Sequence, residues 1–391
     1  MTTTSDSNLR RAGFILVVIA LAATQVKLQI AQWALWMAAV LWVVVNTRER
    51  RWREGPAFLL PLLAYAGWTL VSAAASVDPA ASIIDSKQLF LLLMVPVVAT
   101  FARGTKATHA IDVIIAVGSA SALYGIAQFN LFGFDSEANR PVGPLDHWMT
   151  YSGVLMLATG AAVARLLYVS RDWVWPAIAV PALVVALFYT LTRNAMVGLA
   201  ASVSVLLTER NWRLLLALPV LGVILLVAAP QVVTSRIQSI GDLTDLTTRD
   251  RVAMLRSGVH MVQDNPLTGV GPDMVKVVYP HYRDATYAVN DVNPHLHNVP
   301  MQIAAERGLP ALAIWLWFVV IASRDLWRQI KRSEGYTRAA AGAGVAAMVA
   351  MLVAGLFEYN FGDSEFLMLF LGLITLPWAA QQPDAPGGTH V

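Results

Sequence analysis

Apolar blocks of about 15–22 residues recur along almost the whole chain, each the length that a helix needs to cross a bilayer. Charged residues make up only 14% of the 391 positions, where a soluble domain carries about 25%. The pattern predicts an all-α polytopic membrane protein with about twelve transmembrane helices and one large loop. The expected spans are 12–26, 28–46, 56–76, 83–102, 109–132, 148–169, 173–191, 194–208, 212–229, 308–323, 338–357 and 365–380. The first block follows Arg10 and Arg11, as in a secretory signal. A second block follows directly, with no small-residue cleavage site between them, so the first reads as a retained helix of a hairpin.

Lys and Arg in the connections set the orientation. With the N-terminus inside, the cytoplasmic side receives seventeen basic residues, from Arg10 and Arg11 through Arg48, Arg50, Arg51 and Arg53 to Arg338. The opposite side receives Lys27, Lys87, Arg140 and Arg193 in short connections and seven more in the long loop 230–307. That loop is too polar to span. Thr247-Thr248-Arg249-Asp250 reads as a capped helix start, Val252, Leu255, Val259 and Val262 recur at helical spacing, and Pro266 and Gly269 end the helix. The chain thus divides into residues 1–229 with nine spans, the loop 230–307, residues 308–380 with three spans, and a Pro/Gly-rich tail, 381–391, expected to be disordered.

The absence of cysteine excludes disulfide and thiolate chemistry and any Cys-based metal site. Arg140 and Arg193 stand out because they break the charge pattern. Arg193, in LFYTLTRNAMVGLA, falls between two spans with almost no loop. A cation there is costly unless it is paired or faces a wet cavity, with snorkelling to the headgroups as the plain alternative. Arg140, in NRPVGPLDHWMTYSG, sits in an ordinary short loop. Arg249, Arg251 and Arg256 fall on or near one helix. A charged helix face is usually just solvated, but several guanidiniums facing one cavity would suit a diphosphate.

The segment NPHLHNVPMQIAAERGLPALAIWL, residues 293–316, offers His295, His297, Asn298, Gln302 and Glu306 just before a span. His-x-His can bind a metal, but two ligands with no nearby carboxylate make a weak metal motif. A histidine at a membrane-edge cavity is equally a candidate general base or a structural hydrogen-bonding group. Gly269-Val270-Gly271-Pro272 reads as a turn rather than a nucleotide cradle. Neither a zinc-protease nor a serine-hydrolase motif is present. Asp112, Glu358 and Glu365 lie at span ends, whereas proton-coupled transporters keep an acidic group at mid-membrane.

The segments RPVGPLDHW, LTRNAMVGL, RVAMLRSGVHMVQDNPLTGVGPDMV and HLHNVPMQIAAERGLPAL, in this order and spacing, resemble the bacterial O-antigen ligase and polymerase superfamily over nearly the whole chain. Among its members the O-antigen ligases are the most similar. The resemblance implies a glycosyltransferase that moves O-antigen polysaccharide from undecaprenyl diphosphate to lipid A–core oligosaccharide, at the periplasmic face of the bacterial inner membrane. It implies functional roles for Arg140, Arg193, Arg251 and His297. Leu255 stands where the family often has Trp, four residues after the loop arginine, so Arg249 stays a candidate beside Arg251. His295 and Asn298 complete the expected substrate-binding set. The implied chemistry is inverting, with His297 as base, arginines on the diphosphate, and no metal or cofactor. The expected partners are the lipid-linked donor, the lipid A–core acceptor and membrane lipids, with no nucleic acid. A polymerase or a protein O-oligosaccharyltransferase would use the same chemistry. A lipid-linked oligosaccharide transporter is the reading from another class.

Overall fold

A bilayer offers backbone N–H and C=O groups no partners, so a spanning chain must bond them within its own segments. The computed structural model, which describes residues 4–49, 54–240, 246–284 and 286–383, does this with helices and has no strand among the described residues. In chain order they are α1 (Thr4–Ala23), α2 (Leu28–Glu49), α3 (Leu59–Ala74), α4 (Pro79–Asp85), α5 (Met94–Phe101), α6 (Thr105–Leu131), α7 (Trp148–Tyr168) and α8 (Val174–Tyr189). There follow α9 (Arg193–Asn211), α10 (Ala217–Ala228), α11 (Gln231–Gln238), α12 (Leu246–Asp264), α13 (Val275–Tyr282), α14 (Val299–Arg332), α15 (Gly335–Ala354) and α16 (Ser364–Ala380). Short 3-10 segments lie at Ser86–Leu93, Trp212–Leu216 and Asn360–Gly362.

Every expected apolar block falls on helix. Among the described residues, seven segments are long and apolar enough to cross a membrane: Leu28–Glu49, Pro79–Phe101, Thr105–Leu131, Trp148–Tyr168, Arg193–Ala228, Val299–Arg332 and Gly335–Ala354. The chain is a multi-pass membrane protein. Arg50, Arg51 and Arg53, and residues 384–391 of the expected tail, lie outside the described residues.

Two expected spans take a different form. The block at 83–102 is α4, a 3-10 stretch and α5 rather than one helix. Pro96 has no N–H to return to Leu92, and its ring crowds that carbonyl, so the tighter 3-10 turns carry the chain into α5. The block expected to begin at 308 belongs to a helix that begins at Val299, inside the segment read as loop. Asn298 caps it, its side-chain oxygen accepting the Met301 N–H at 2.9 Å.

The core lies where α15 packs against α7, α9 and α16. The run Ala339–Ala347 in α15 is wholly Ala, Gly and Val, and all of it is buried. Small side chains let helix backbones approach closely, which is how contact is gained between helices that lipid solvates equally well. The polar segment after α10 builds a second, smaller core. Met254 and Met261 of α12 meet Met274, Val275 and Tyr279, and the cluster closes on Leu296 and Ala305.

α14 is broken at Gly308, which has φ +78° and ψ 171°. The break frees carbonyls of the preceding turn, and other segments take them up. Val270 N–H donates to Ala305 O and Gly271 N–H to Glu306 O, both at 2.9 Å. Leu309 N–H returns to Pro266 O at 2.8 Å. From α3, Trp68 Nε1 donates to Arg307 O at 2.9 Å and Ser72 Oγ to Glu306 O at 3.0 Å. The Val270 and Gly271 amides of the Gly269–Pro272 turn are thus spent on this joint.

A Cβ on Gly308 would stand 1.9 Å from Leu267 O, in a backbone conformation that L residues rarely adopt. Gly308→Ala is expected to lower the melting temperature in detergent by several degrees or to abolish monodisperse expression, because the strain costs about 1–3 kcal/mol before the clash is counted. Thermal-shift measurement by size-exclusion fluorescence checks this, and an unchanged profile would refute the joint as described.

Candidate active site

The loop between α13 and α14 is held from both sides. Gln302, buried on the first turns of α14, accepts Leu296 N–H at 2.7 Å and donates to Glu306 Oε1 at 2.8 Å. Glu306 in turn pairs with Arg307, both buried. On the other side Val299 N–H donates to Gly355 O at 2.7 Å and Asn298 Nδ2 to Leu356 O at 3.0 Å. Both ends of the Asn298 side chain therefore bond backbone, one as a cap and one as a tie to the end of α15. The loop reaches its geometry with His297 at φ +47°, a left-handed conformation costing a non-glycine residue about 1–3 kcal/mol.

These ties set both histidines on one carboxylate. Glu358, just beyond α15, is 8% exposed. Its Oε1 lies 3.1 Å from His295 Nε2 and its Oε2 lies 2.9 Å from His297 Nδ1. A carboxylate only accepts, so both ring nitrogens donate. For a neutral His297 this leaves Nε2 with its lone pair free, the tautomer a general base needs. Burial pushes the Glu358 carboxyl up, but the hydrogen bonds and charge of the two histidines together outweigh it and hold the group far below the ordinary carboxylate range.

Two cavities flank this bridge. One, of about 270 Å³, is lined by residues that include His147, Asn194, His295, Glu358, Asn360 and Asp363. The other, of about 220 Å³, is lined by residues that include Thr247, Asp250, Arg251, Asn293 and His297. Met149 lines both. His147 caps α7, its Nδ1 accepting Met149 N–H at 3.2 Å. Burial lowers its pKa against the opposing pull of Glu358 and Asp363, which favours the neutral ring that this cap requires.

A separate group of arginines gathers near the α6–α7 and α8–α9 connections. Arg140 lies with its guanidinium 5.3 Å from the Trp148 ring centre and its Nε 2.8 Å from Glu137 O. Arg193, 9% exposed at the first position of α9, donates to Ser239 O at 2.9 Å. Arg236 on α11 donates to Leu191 O at 3.2 Å and pairs with Glu137 at 3.2 Å. Burial, then Arg236, then Arg193 disfavour the charged form of Arg140, with Glu137 opposing them, so Arg140 feels both of the other guanidiniums.

The structure therefore divides the expected residues. His295 and His297 share Glu358, with Arg251 in the cavity of His297. Arg140 and Arg193 form a second group with Arg236, which no pattern in the sequence had singled out. Arg249 is exposed and lines neither cavity. Arg256 pairs with Asp284 at 3.2 Å and lies 4.3 Å from the Tyr287 ring centre. The premise that no carboxylate accompanies His-x-His is corrected: Glu358 does, from 61 residues beyond His297. His295, His297 and Glu358 each offer a ligand atom within 4.8 Å of one another, so the trio is also the one group of metal-ligand spacing among the described residues.

Residues 177–316 match the family model described as O-antigen ligase. The match runs from α8 to the middle of α14. It includes Arg193, Arg236, Arg251, His295 and His297, and leaves Arg140 and Glu358 outside. A comparison with curated proteins found no match.

The lowered Glu358 pKa carries a signed expectation for stability. Its contribution is present above the unfolded carboxyl value of about 4.3 and is lost as pH falls towards the lower folded value. Wild-type protein should lose more melting temperature between about pH 5 and pH 3 than Glu358→Gln, which has no carboxyl to titrate. Parallel thermal-shift series test this, and equal slopes would count against the His–Glu–His bridge.

Proposed function

We propose that this chain, which matches the O-antigen ligase family model over residues 177–316, is a glycosyltransferase that moves O-antigen polysaccharide from undecaprenyl diphosphate to lipid A–core oligosaccharide. The observation that carries the reading is the buried Glu358 carboxylate orienting His297 in a cavity shared with Arg251. A histidine so fixed has one nitrogen held by the carboxylate and the other available for a proton.

In this reading an acceptor sugar hydroxyl attacks C1 of the donor sugar. The new C1–O bond forms as the C1–O bond to the diphosphate breaks, with inversion at C1. The hydroxyl proton passes to His297 Nε2, and the leaving undecaprenyl diphosphate takes the bonding electrons. Glu358 stabilises the imidazolium that results. The leaving group needs no proton, only fixed positive charge where its negative charge develops. Arg251 lines the cavity of His297. Arg140, Arg193 and Arg236 gather in one region, and guanidiniums are well suited to bidentate binding of phosphate oxygens. His295 and Asn298 act mainly by positioning His297. The excess of basic residues in the opposite connections supports a periplasmic site in an inner membrane, with residues 230–307 on that face.

The test is to incubate the purified protein with lipid-diphosphate glycan and lipid A–core and look for the joined product by gel and mass spectrometry. Lengthened lipid-linked glycan with no joined product would make the enzyme a polymerase. Neither product would end the glycosyltransferase reading.

General-base catalysis contributes about 10²–10⁴-fold. His297→Ala is therefore expected to fold, to bind donor, and to transfer at least about a hundredfold more slowly, with His295→Ala milder. Steady-state kinetics on both variants decide this. The reverse order, or unchanged kcat with weakened donor binding, would make His297 a phosphate ligand instead.

Chelation is expected to leave the rate unchanged, since arginines supply the positive charge and both Glu358 oxygens are bonded to ring nitrogens. Activity lost in EDTA and restored by a divalent ion would convert the same three side chains into a metal site.

A further inference from the structure

The larger cavity contains a group that the proposed chemistry leaves unused. Asn360, in the 3-10 segment after α15, is 7% exposed and lines this cavity. Both its Oδ1 and its Nδ2 lack a hydrogen-bond partner among the described residues. A buried carboxamide with neither atom satisfied costs free energy that native proteins rarely leave uncompensated. Its backbone carbonyl, by contrast, is engaged, accepting Asp363 N–H at 3.2 Å. The backbone is thus held while the side chain keeps a donor and an acceptor both unbonded.

The rest of the lining restricts what could meet it. Among the described residues, two carboxylates face this space, Glu358 and Asp363, and no Lys or Arg does. Asp363 accepts from Thr150 Oγ1 and from Phe366 N–H at 2.9 Å, so both its oxygens are bonded, as are those of Glu358. A phosphate or carboxylate ligand would be repelled. A hydroxyl-bearing ligand would be favoured, because each hydroxyl both donates to carboxylates and accepts from an amide. Met156, Ala354 and Phe366 supply an apolar wall. At about 270 Å³ the cavity lies just below the usual range for drug-sized ligands, about 300–1,000 Å³. That size fits a single sugar ring, with polar edges and an apolar face.

We propose that the cavity between His147, Asn360 and Asp363 is a pyranose subsite, with the Asn360 carboxamide as its bidentate reader. The assignment rests on the glycosyl-transfer reading above and adds where a sugar is recognised, on the opposite side of Glu358 from Arg251. The ring belongs either to the acceptor or to the sugar nearest the donor diphosphate, and the same recognition serves both.

The test is equilibrium binding to the full-length protein in one detergent, with each ligand offered alone. The ligands are core oligosaccharide released from its lipid, a polyprenyl diphosphate bearing one hexose, and the same polyprenyl diphosphate without sugar. Asn360→Leu keeps about the same volume and loses no internal side-chain hydrogen bond, so its melting temperature should equal or exceed that of wild type. It should weaken one sugar ligand by about tenfold or more and leave the sugar-free diphosphate unchanged. Weakened core binding makes the site the acceptor's, and weakened hexosyl-diphosphate binding makes it the donor's. Asn360→Ala, smaller and without branching, should give the same selectivity if the leucine crowds the site. Equal sugar binding by wild type and both variants, equal weakening of the sugar-free diphosphate, or a lowered melting temperature in both variants would overturn the inference. Because no transfer is read, failure of the joined-product assay would remove the proposed function without producing any of these outcomes.

Discussion

The broken helix at Gly308 is the constraint on which the rest of the site depends. A helix interrupted near a bilayer must find partners for the carbonyls it releases. Here they come from the turn at Pro266–Gly271 and from Trp68 and Ser72 on α3. The same bonds therefore satisfy the backbone, join the polar segment to the transmembrane body, and set the direction in which residues 299–307 leave the rest of α14. Gln302 and Glu306 lie on that short arm, and through them the arm grips the loop that carries His295 and His297. The buried Glu306–Arg307 pair contributes little net stability once desolvation is counted, but it leaves few alternative arrangements of the joint.

Glu358 provides the second fixed point. A carboxylate this buried is tolerated only when its oxygens are bonded, and both are, to rings from one loop. The left-handed backbone at His297 has a local cost that the structure offsets with the bonds from Asn298, Val299 and Gln302. Two chain segments more than fifty residues apart are thereby locked together at the point where a base would work. Strain and buried charge coincide at this position, as they often do at functional sites.

Charge is then distributed unevenly around that point. Guanidiniums gather at Arg140, Arg193 and Arg236, and Arg251 lies in the cavity of His297. The space on the far side of Glu358 has carboxylates, amides and hydroxyls but, among the described residues, no Lys or Arg. An anionic leaving group and a neutral sugar would be sorted by this asymmetry before any specific contact formed.

The sequence by itself determined the class of fold, because only helix satisfies backbone groups over an apolar stretch of that length, and every expected block is helical. It also singled out the His-x-His loop and Arg193 as exceptional, because cations and imidazoles at a membrane edge are costly enough to stand out against apolar neighbours. It could not reveal Glu358, which reads as one more acid at a span end, nor Arg236 and Asn360, which follow no spacing. Their significance comes from where long chain separations are brought together, and periodicity reports only neighbours three or four residues apart. The start of α14 at Val299 was hidden for a related reason: Gly308 and Pro310 read as a helix boundary, and only tertiary bonds from α3 and the Pro266 turn make a break there tolerable. Which arginines share a cavity with a histidine, and which form a separate group, was decided by how the helices pack.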